Sequence, residues 1–313
     1  MRVHLTYDVE IWCDGWKRLQ EKFPPAFQRY VYGPQNGALP LNLAILRDCG
    51  LKAVFFVEPL FSFCFGLAPL QEIVGLIREA GQEVQLHLHP EWLDEMPTPL
   101  LPARAKTRRL HDLAPEEQTL LLRHASERLV EAGAARPNAF RAGNFAIGDG
   151  TLAALAANGF EVDSSVNASY PFDYPVESDA RRWYCSRLGG IAEFPVTQFR
   201  DGFGKRRHMQ ITACSSREMI QALQRYDELG LRDATLVSHN FELLTPDRGK
   251  IDAIARRRFE TLCAWLGKNA ARFPCAPFDA AAAPVTPPTW EPVAVSMAAT
   301  AVRYAEQLAR RLS

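Results

Sequence analysis

The chain has 313 residues, 47% hydrophobic and 23% charged, with 36 basic residues balancing 36 acidic ones. That length supports one large core or two small ones, and the even charge excludes a global field that would draw nucleic acid or anionic lipid. The seven cysteines (Cys13, Cys49, Cys64, Cys185, Cys214, Cys263 and Cys275) are odd in number, scattered and never spaced Cys-x-x-Cys, which argues against a cysteine zinc cluster or a disulfide framework and for a reducing compartment.

Met1 runs straight into a strand pattern with no leader, and the longest apolar stretch, around Ala53 to Leu60, is too short for a bilayer and broken by Glu58 and Pro59. The expectation is a cytoplasmic protein with no transmembrane segment and no nucleic-acid partner. Residues 2–10 alternate Val3, Leu5, Tyr7 and Val9 with His4, Thr6, Asp8 and Glu10, a first strand whose polar face ends in two carboxylates. An aromatic loop follows (Trp12, Trp16, Phe23, Phe27, Tyr30, Tyr32), then a helix from Leu39 to Cys49 closed by Gly50. Lys52 to Val57 is a continuous apolar run suited to a strand buried on both faces, and Pro69 to Ala80 an amphipathic helix stopped by Gly81.

The stretch from Glu83 to Trp92 alternates Val84, Leu86 and Leu88 with Gln85, His87 and His89, and Pro90 ends the strand. Two imidazoles side by side near a loop mouth suit an open metal site; the plain alternative is an edge strand whose histidines face water. Strand, helix, strand, helix, strand in this order implies parallel pairing through right-handed crossovers.

Residues 91–114 lack apolar periodicity and form a loop or partial lid, before a helix from Pro115 to Ala132. A short strand leading into a Gly-containing turn over Asn138–Phe145, a helix over Thr151–Asn158 and a strand over Phe160–Ser164 follow. Residues 165–187 are an aromatic-rich insertion, with strands expected at Ile191–Val196 and Met209–Ala213. A helix over Ser216–Leu229, a buried strand over Ala234–His239 and a helix over Asp252–Asn269 complete the core. Arg256, Arg257 and Arg258 suit a solvated helix face. The organisation expected is a domain over 1–279, an Ala/Pro-rich linker over 280–295 and a terminal helix over 296–313.

Asp8 and Glu10, His87 and His89, Arg141, Asp163 and His239 all fall at strand ends, and in a parallel sheet or barrel those ends share the rim that binds ligands. Five short motifs give the chain a resemblance to the NodB-homology polysaccharide deacetylases: Thr6-Tyr7-Asp8-Val9-Glu10, Gly81-Gln82-Glu83-Val84-Gln85-Leu86-His87, Arg141-Ala142-Gly143-Asn144-Phe145, Asp163-Ser164, and Leu236-Val237-Ser238-His239. They occur in the family's order and span most of residues 1–245. The resemblance implies an α/β fold, a distorted (β/α) barrel of mostly parallel strands. It also implies a divalent metal, zinc by the chemistry of the donors, held by His87, His89 and Glu10.

The resemblance further implies Asp8 as general base held by Arg141, and His239, oriented by Asp163, as the acid that protonates the leaving amine. A backbone N–H near Phe145 would face the oxyanion. Each motif departs from the family's form. The adjacent Asp-Asp pair becomes Asp8-x-Glu10, which a strand returns to one face. The second histidine is absent four residues after the first, where Glu91 stands, so either His89 or Glu91 completes the site, imidazole suiting zinc the better. Trp12, Trp92, Asn144 and Phe145 are candidate substrate contacts, with Tyr170, Phe172, Tyr174 and Trp183 as further aromatics. The implied reaction is removal of an N- or O-acetyl group from a sugar or oligosaccharide, in this compartment an intermediate of O-antigen or another surface polysaccharide. An amidase or ureide hydrolase on a non-sugar substrate, or a carbohydrate-binding protein without catalysis, are the alternatives.

Overall fold

The computed structural model describes all residues except 13–16, 103–107, 171–173, 175–178 and 313. Ten strands are β1 Arg2–Val9, β2 Val54–Val57, β3 Glu83–Leu88, β4 Ala139–Ala142, β5 Val162–Asp163, β6 Ser186–Leu188, β7 Ile191–Glu193, β8 Gln198–Arg200, β9 Arg206–His208 and β10 Asp233–His239. The helices are α1 Leu19–Phe27, α2 Leu39–Asp48, α3 Ser62–Phe65, α4 Ala68–Glu79, α5 Pro115–Glu131, α6 Asp149–Ala157, α7 Asp179–Trp183, α8 Ser216–Glu228, α9 Ala253–Lys268 and α10 Met297–Leu312.

Eight strands make one sheet in the order β10-β1-β2-β3-β4-β5-β7-β6, parallel except where β6 turns back on β7. The sheet curls into a distorted (β/α) barrel. Single bridges from Val196 to Thr235 and from Gln210 to Val237 link the chain beyond β7 to β10 in place of a full strand. The alternation seen in β1 explains how the layers form. Tyr7 points outward and stacks on Phe55 at 4.7 Å, within the main core between sheet and helices. The polar set His4, Thr6, Asp8 and Glu10 is buried as well, and Phe56 belongs with Val54, Ala139, Val162, Ala192 and Phe194 to a small separate cluster. The parallel strands are therefore covered on both faces, as their short apolar runs require.

Several expected boundaries move. Within Asn138–Phe145 the strand gives way after Ala142 to the expected Gly-containing turn, where Asn144 and Phe145 take left-handed φ of 55° and 57°. β5 keeps only Val162–Asp163 and β7 only Ile191–Glu193. The strand expected at Met209–Ala213 is absent: the chain bridges β10 once at Gln210, then turns toward the helix cap at Ser215, whose hydroxyl accepts from the Glu218 N–H at 3.2 Å. Arg258 is not solvated; 2% exposed, it donates to Glu306 on α10 at 2.8 Å and to the carbonyls of Ile211 and Thr212. Residues 280–295 lie against the body, with Val293 and Val295 buried and Ala294 bridging Arg200.

Candidate metal centre and catalytic rim

Parallel register brings the polar strand ends together. Asp8 pairs in register with His239 of β10, and His87 with Arg141 of β4. Glu10 follows β1 directly, its N–H donating to the Asn240 side chain at 3.2 Å. His89 follows β3 with φ −113° and ψ 102°, so the extended geometry runs one residue past the ladder and keeps both imidazoles on one face. Their ring centroids lie 4.8 Å apart.

Glu10, His87 and His89 each offer a donor atom within 4.8 Å of the others, and all three are buried. His89 Nε2 is 2.8 Å and His87 Nε2 3.5 Å from Glu10 Oε2. His87 Nδ1 lies 2.8 Å from the Arg141 carbonyl, which can only accept; Nδ1 therefore carries a proton and Nε2 faces Glu10. Glu91 is placed behind His89, its carboxylate 3.3 Å from His89 Nδ1 and accepting from Asn144 Nδ2 at 3.0 Å. Gly143 makes room for this ring. A Cβ there would stand 2.7 Å from His89 Cε1 and Nδ1.

Two nitrogens and one carboxylate converging among buried side chains, with outer partners on the rings, fit a divalent metal. The charges are mutually supporting. Burial opposes ionisation of Glu10, but His89, His87 and His239 hold its carboxyl well below the usual range. Burial likewise opposes the His89 cation, which Glu10 and Glu91 override, pushing it up to about 10. Glu58, fully buried after β2, accepts from the Leu60 and Phe61 N–H groups at 2.8 and 3.3 Å, yet burial pushes it up to about 8.

Beside this cluster, Arg141 is wholly buried and uses its fork fully. Nη1 donates to Asp8 Oδ1 and to Thr6 Oγ1, both at 2.8 Å; Nη2 donates to Ser164 Oγ at 2.8 Å and Nε to the Ser164 carbonyl at 2.9 Å. The guanidinium lies over the Phe56 ring at 4.5 Å. Asp8, 2% exposed, is thus fixed with one oxygen committed to Arg141.

His239 stands across from Glu10, Nε2 to Oε1 being 3.6 Å. The expected link to Asp163 does not form. His239 Nδ1 instead meets Glu242 Oε1 at 2.7 Å, and Glu242 in turn receives Gln210 Nε2 and, at 3.3 Å, the Ser238 hydroxyl. Burial disfavours the His239 cation, but Glu242, then Glu10 and Asp8, push it up to about 9. Asp163 lies one strand beyond Arg141 and opposes Glu193 in register; its Oδ1 accepts from Ser165 Oγ at 2.5 Å. Burial and the facing acid hold Glu193 well above the usual carboxyl range, and burial raises Asp163 too. Two buried acids so placed oppose each other's ionisation.

The candidate substrate contacts divide. Trp12 packs edge-on against His89 at 4.6 Å, at the mouth of the site. Phe145 is 5.0 Å from the half-exposed Tyr170 ring on the same rim. Trp92 is corrected: 1% exposed and packed between Phe61 and Phe65, it belongs to the core because the chain turns inward after Pro90. Tyr174 and Trp183 are buried as well, and Trp16 and Phe172 lie outside the described residues. Glu242 is not marked by any sequence motif; its spacing three residues after His239, in a turn, is the available signal.

No family model and no curated protein matches the chain. Solved structures do. A provisionally assigned polysaccharide deacetylase from Mycobacterium smegmatis is 19% identical, with a TM-score of 0.52 over 89% of this chain and 93% of that one. A family 4 carbohydrate esterase from Streptomyces lividans, solved with acetate, is 13% identical over 92% and 97% of the two chains, with a TM-score of 0.43. A family 4 pseudoenzyme from Bacillus anthracis is 13% identical over 86% and 61%, with a TM-score of 0.41. The fold is that of the polysaccharide deacetylases, in a divergent form.

Proposed function

We propose that the protein is a metal-dependent hydrolase that removes an N- or O-acetyl group from a sugar. The observation that carries this reading is the shared rim. A buried Glu10–His87–His89 donor set, an Arg141-held Asp8 and a carboxylate-oriented His239 meet at the carboxyl ends of parallel strands in a polysaccharide-deacetylase fold. A divalent metal in the donor set, zinc by preference of two imidazoles and one carboxylate, supplies carbonyl polarisation and a lowered water pKa.

The chain's own groups do the rest. Asp8 takes the proton from the attacking water, and Arg141 keeps that carboxylate aimed. His239, charged at neutral pH through Glu242, returns a proton to the departing nitrogen or oxygen. The turn over Gly143–Phe145 presents backbone N–H groups toward the oxyanion, held in its left-handed form by the Asn144–Glu91 bond. Trp12 and Tyr170 supply faces for a sugar ring. The substrate in this reading is an acetylated intermediate of O-antigen or other surface-polysaccharide assembly, met in the cytoplasm.

Acetate release from a panel of N- and O-acetyl sugars, with bound metal measured in parallel, tests this. Wild type should release acetate in a chelator-sensitive way, Asp8→Asn should lose activity while keeping metal, and His87→Ala should lose both. Protein that takes up no zinc, manganese or cobalt and stays active as His87→Ala would overturn the mechanism in favour of a metal-free amidase. Metal and sugar binding without turnover would leave a binding protein.

A further inference from the structure

Helix α10 carries its amphipathicity inside out. Arg303, 1% exposed, donates from Nε to Glu218 at 3.0 Å and from Nη2 to Asp201 at 2.8 Å, and both acids are covered. Thr300 also donates to Glu218, at 3.0 Å, and Glu306 receives Arg258. These bonds fix the roll of the helix. Every exposed residue from Met297 to Arg310 is then apolar: Met297, Ala301, Tyr304 and Leu308, with Ala298, Ala305 and Ala309 beside them. The β8–β9 turn extends the surface with Phe203, whose ring is 5.9 Å from Tyr304. A Cβ on Gly202 would stand 2.4 Å from the Met297 backbone, so turn and helix form one rigid face. A surface helix normally turns its apolar stripe inward, and a contiguous patch of large apolar side chains marks a surface that becomes covered.

We propose that this face pairs antiparallel with the same face of a second copy of the chain, giving a two-fold dimer. Met297, Ala301, Tyr304 and Leu308 follow one another at intervals of four, three and four, the seam spacing of helices whose side chains interlock. Laid antiparallel about its midpoint, the seam sets Met297 opposite Leu308 and Ala301 opposite Tyr304, a large side chain against a small one at the centre. Parallel pairing would set Tyr304 on Tyr304 and leave Ala301 facing Ala301. The antiparallel arrangement also opposes the helix dipoles.

The area is adequate. Met297, Tyr304, Leu308 and Phe203 are 62%, 42%, 60% and 57% exposed. With side chains of about 150–250 Å² they offer roughly 450 Å² per copy, about 900 Å² for the pair. The flanking alanines and rim raise this toward the ~1,200 Å² of the smaller stable interfaces. A lipid surface draws little from two of this helix's basic groups: Arg303 is buried and Arg310 is ion-paired with Asp252.

The experiment is sedimentation equilibrium on the full chain at tens of micromolar. Wild type should show twice the chain mass. Met297→Glu and Leu308→Lys alone should each shift the protein to monomer with unchanged circular dichroism, since both positions are exposed. Met297→Glu combined with Leu308→Lys should restore the dimer, because antiparallel pairing sets glutamate against lysine. A wild-type monomer at this concentration would overturn the proposal. So would a dimer indifferent to the single substitutions, or a monomer that cosediments with phosphatidylglycerol vesicles, which assigns the face to lipid.

Discussion

Replacing Glu242 by glutamine separates the wiring seen at the rim from the one the family resemblance implied. Burial works against a charged His239, but the Glu242 carboxylate leads the groups that push the imidazole from 6.5 up to about 9. A rise of that size is worth roughly 3 kcal/mol. Glutamine keeps the shape and can still accept from His239 Nδ1 and Gln210 Nε2, so the change removes the charge and little else. Because Glu242 contributes first among the raising groups, its neutralisation should lower the His239 pKa by at least about one unit. The ring resonances of His239, assigned by their loss in His239→Ala, report this by NMR titration without any substrate. In the acetate-release assay, the alkaline limb of the kcat profile that reports the general acid should move down in pH by the same amount, with little change near neutral pH. Asp163→Asn should leave the His239 titration in place. A Glu242→Gln titration within about 0.3 unit of wild type would refute the assignment, as would an equal shift in Asp163→Asn.

Two further outcomes follow from the same geometry. Gly143→Ala drives a methyl into the His89 ring at 2.7 Å and should weaken zinc affinity about 10- to 100-fold with a minor change in melting temperature, measured by chelator competition. Glu193 is held protonated in the fold, its pKa raised well above 4.5, so its stabilising contribution is complete below the unfolded value and drains away as pH rises through the folded one. Melting temperature should therefore fall toward alkaline pH, by about 1.5 °C per kcal/mol at this chain size. Glu193→Gln, which can donate permanently to Asp163, should flatten that decline; an unchanged slope would show that Glu193 does not cause it.

Much of this was legible before any coordinates. Strict alternation in β1 and β3 placed Asp8, Glu10, His87 and His89 on the faces where they lie, since period two leaves no freedom once a strand is granted. The continuous Ala53–Val57 run marked a doubly covered strand, and the structure buries it completely. What failed was local and three-dimensional. Trp92 looked like a rim aromatic because it follows the histidines, but whether a chain turns in or out after Pro90 depends on the Phe61 and Phe65 rings waiting there. Asp163 was assigned to His239 by order of motifs. Pairing β5 with β7 instead turned it toward Glu193, and a carboxylate three residues downstream of His239 took the vacant place. Arg258 and Arg303, both in polar-looking stretches, are buried because each finds acids across a helix interface, a partnership no periodicity reveals.

The pairing of β1 with β10, in register from Arg2 opposite Asp233 to Asp8 opposite His239, joins segments more than 200 residues apart. Such a contact carries a large loop-closure cost and comes late in folding. On a ribosome, the first strand emerges long before its neighbour exists, with one edge unpaired and prone to mispairing until synthesis has passed His239. The candidate rim is consequently among the last features to assemble. A chain interrupted between β4 and β10 contains Glu10, His87, His89 and the Arg141–Asp8 pair, but it lacks His239.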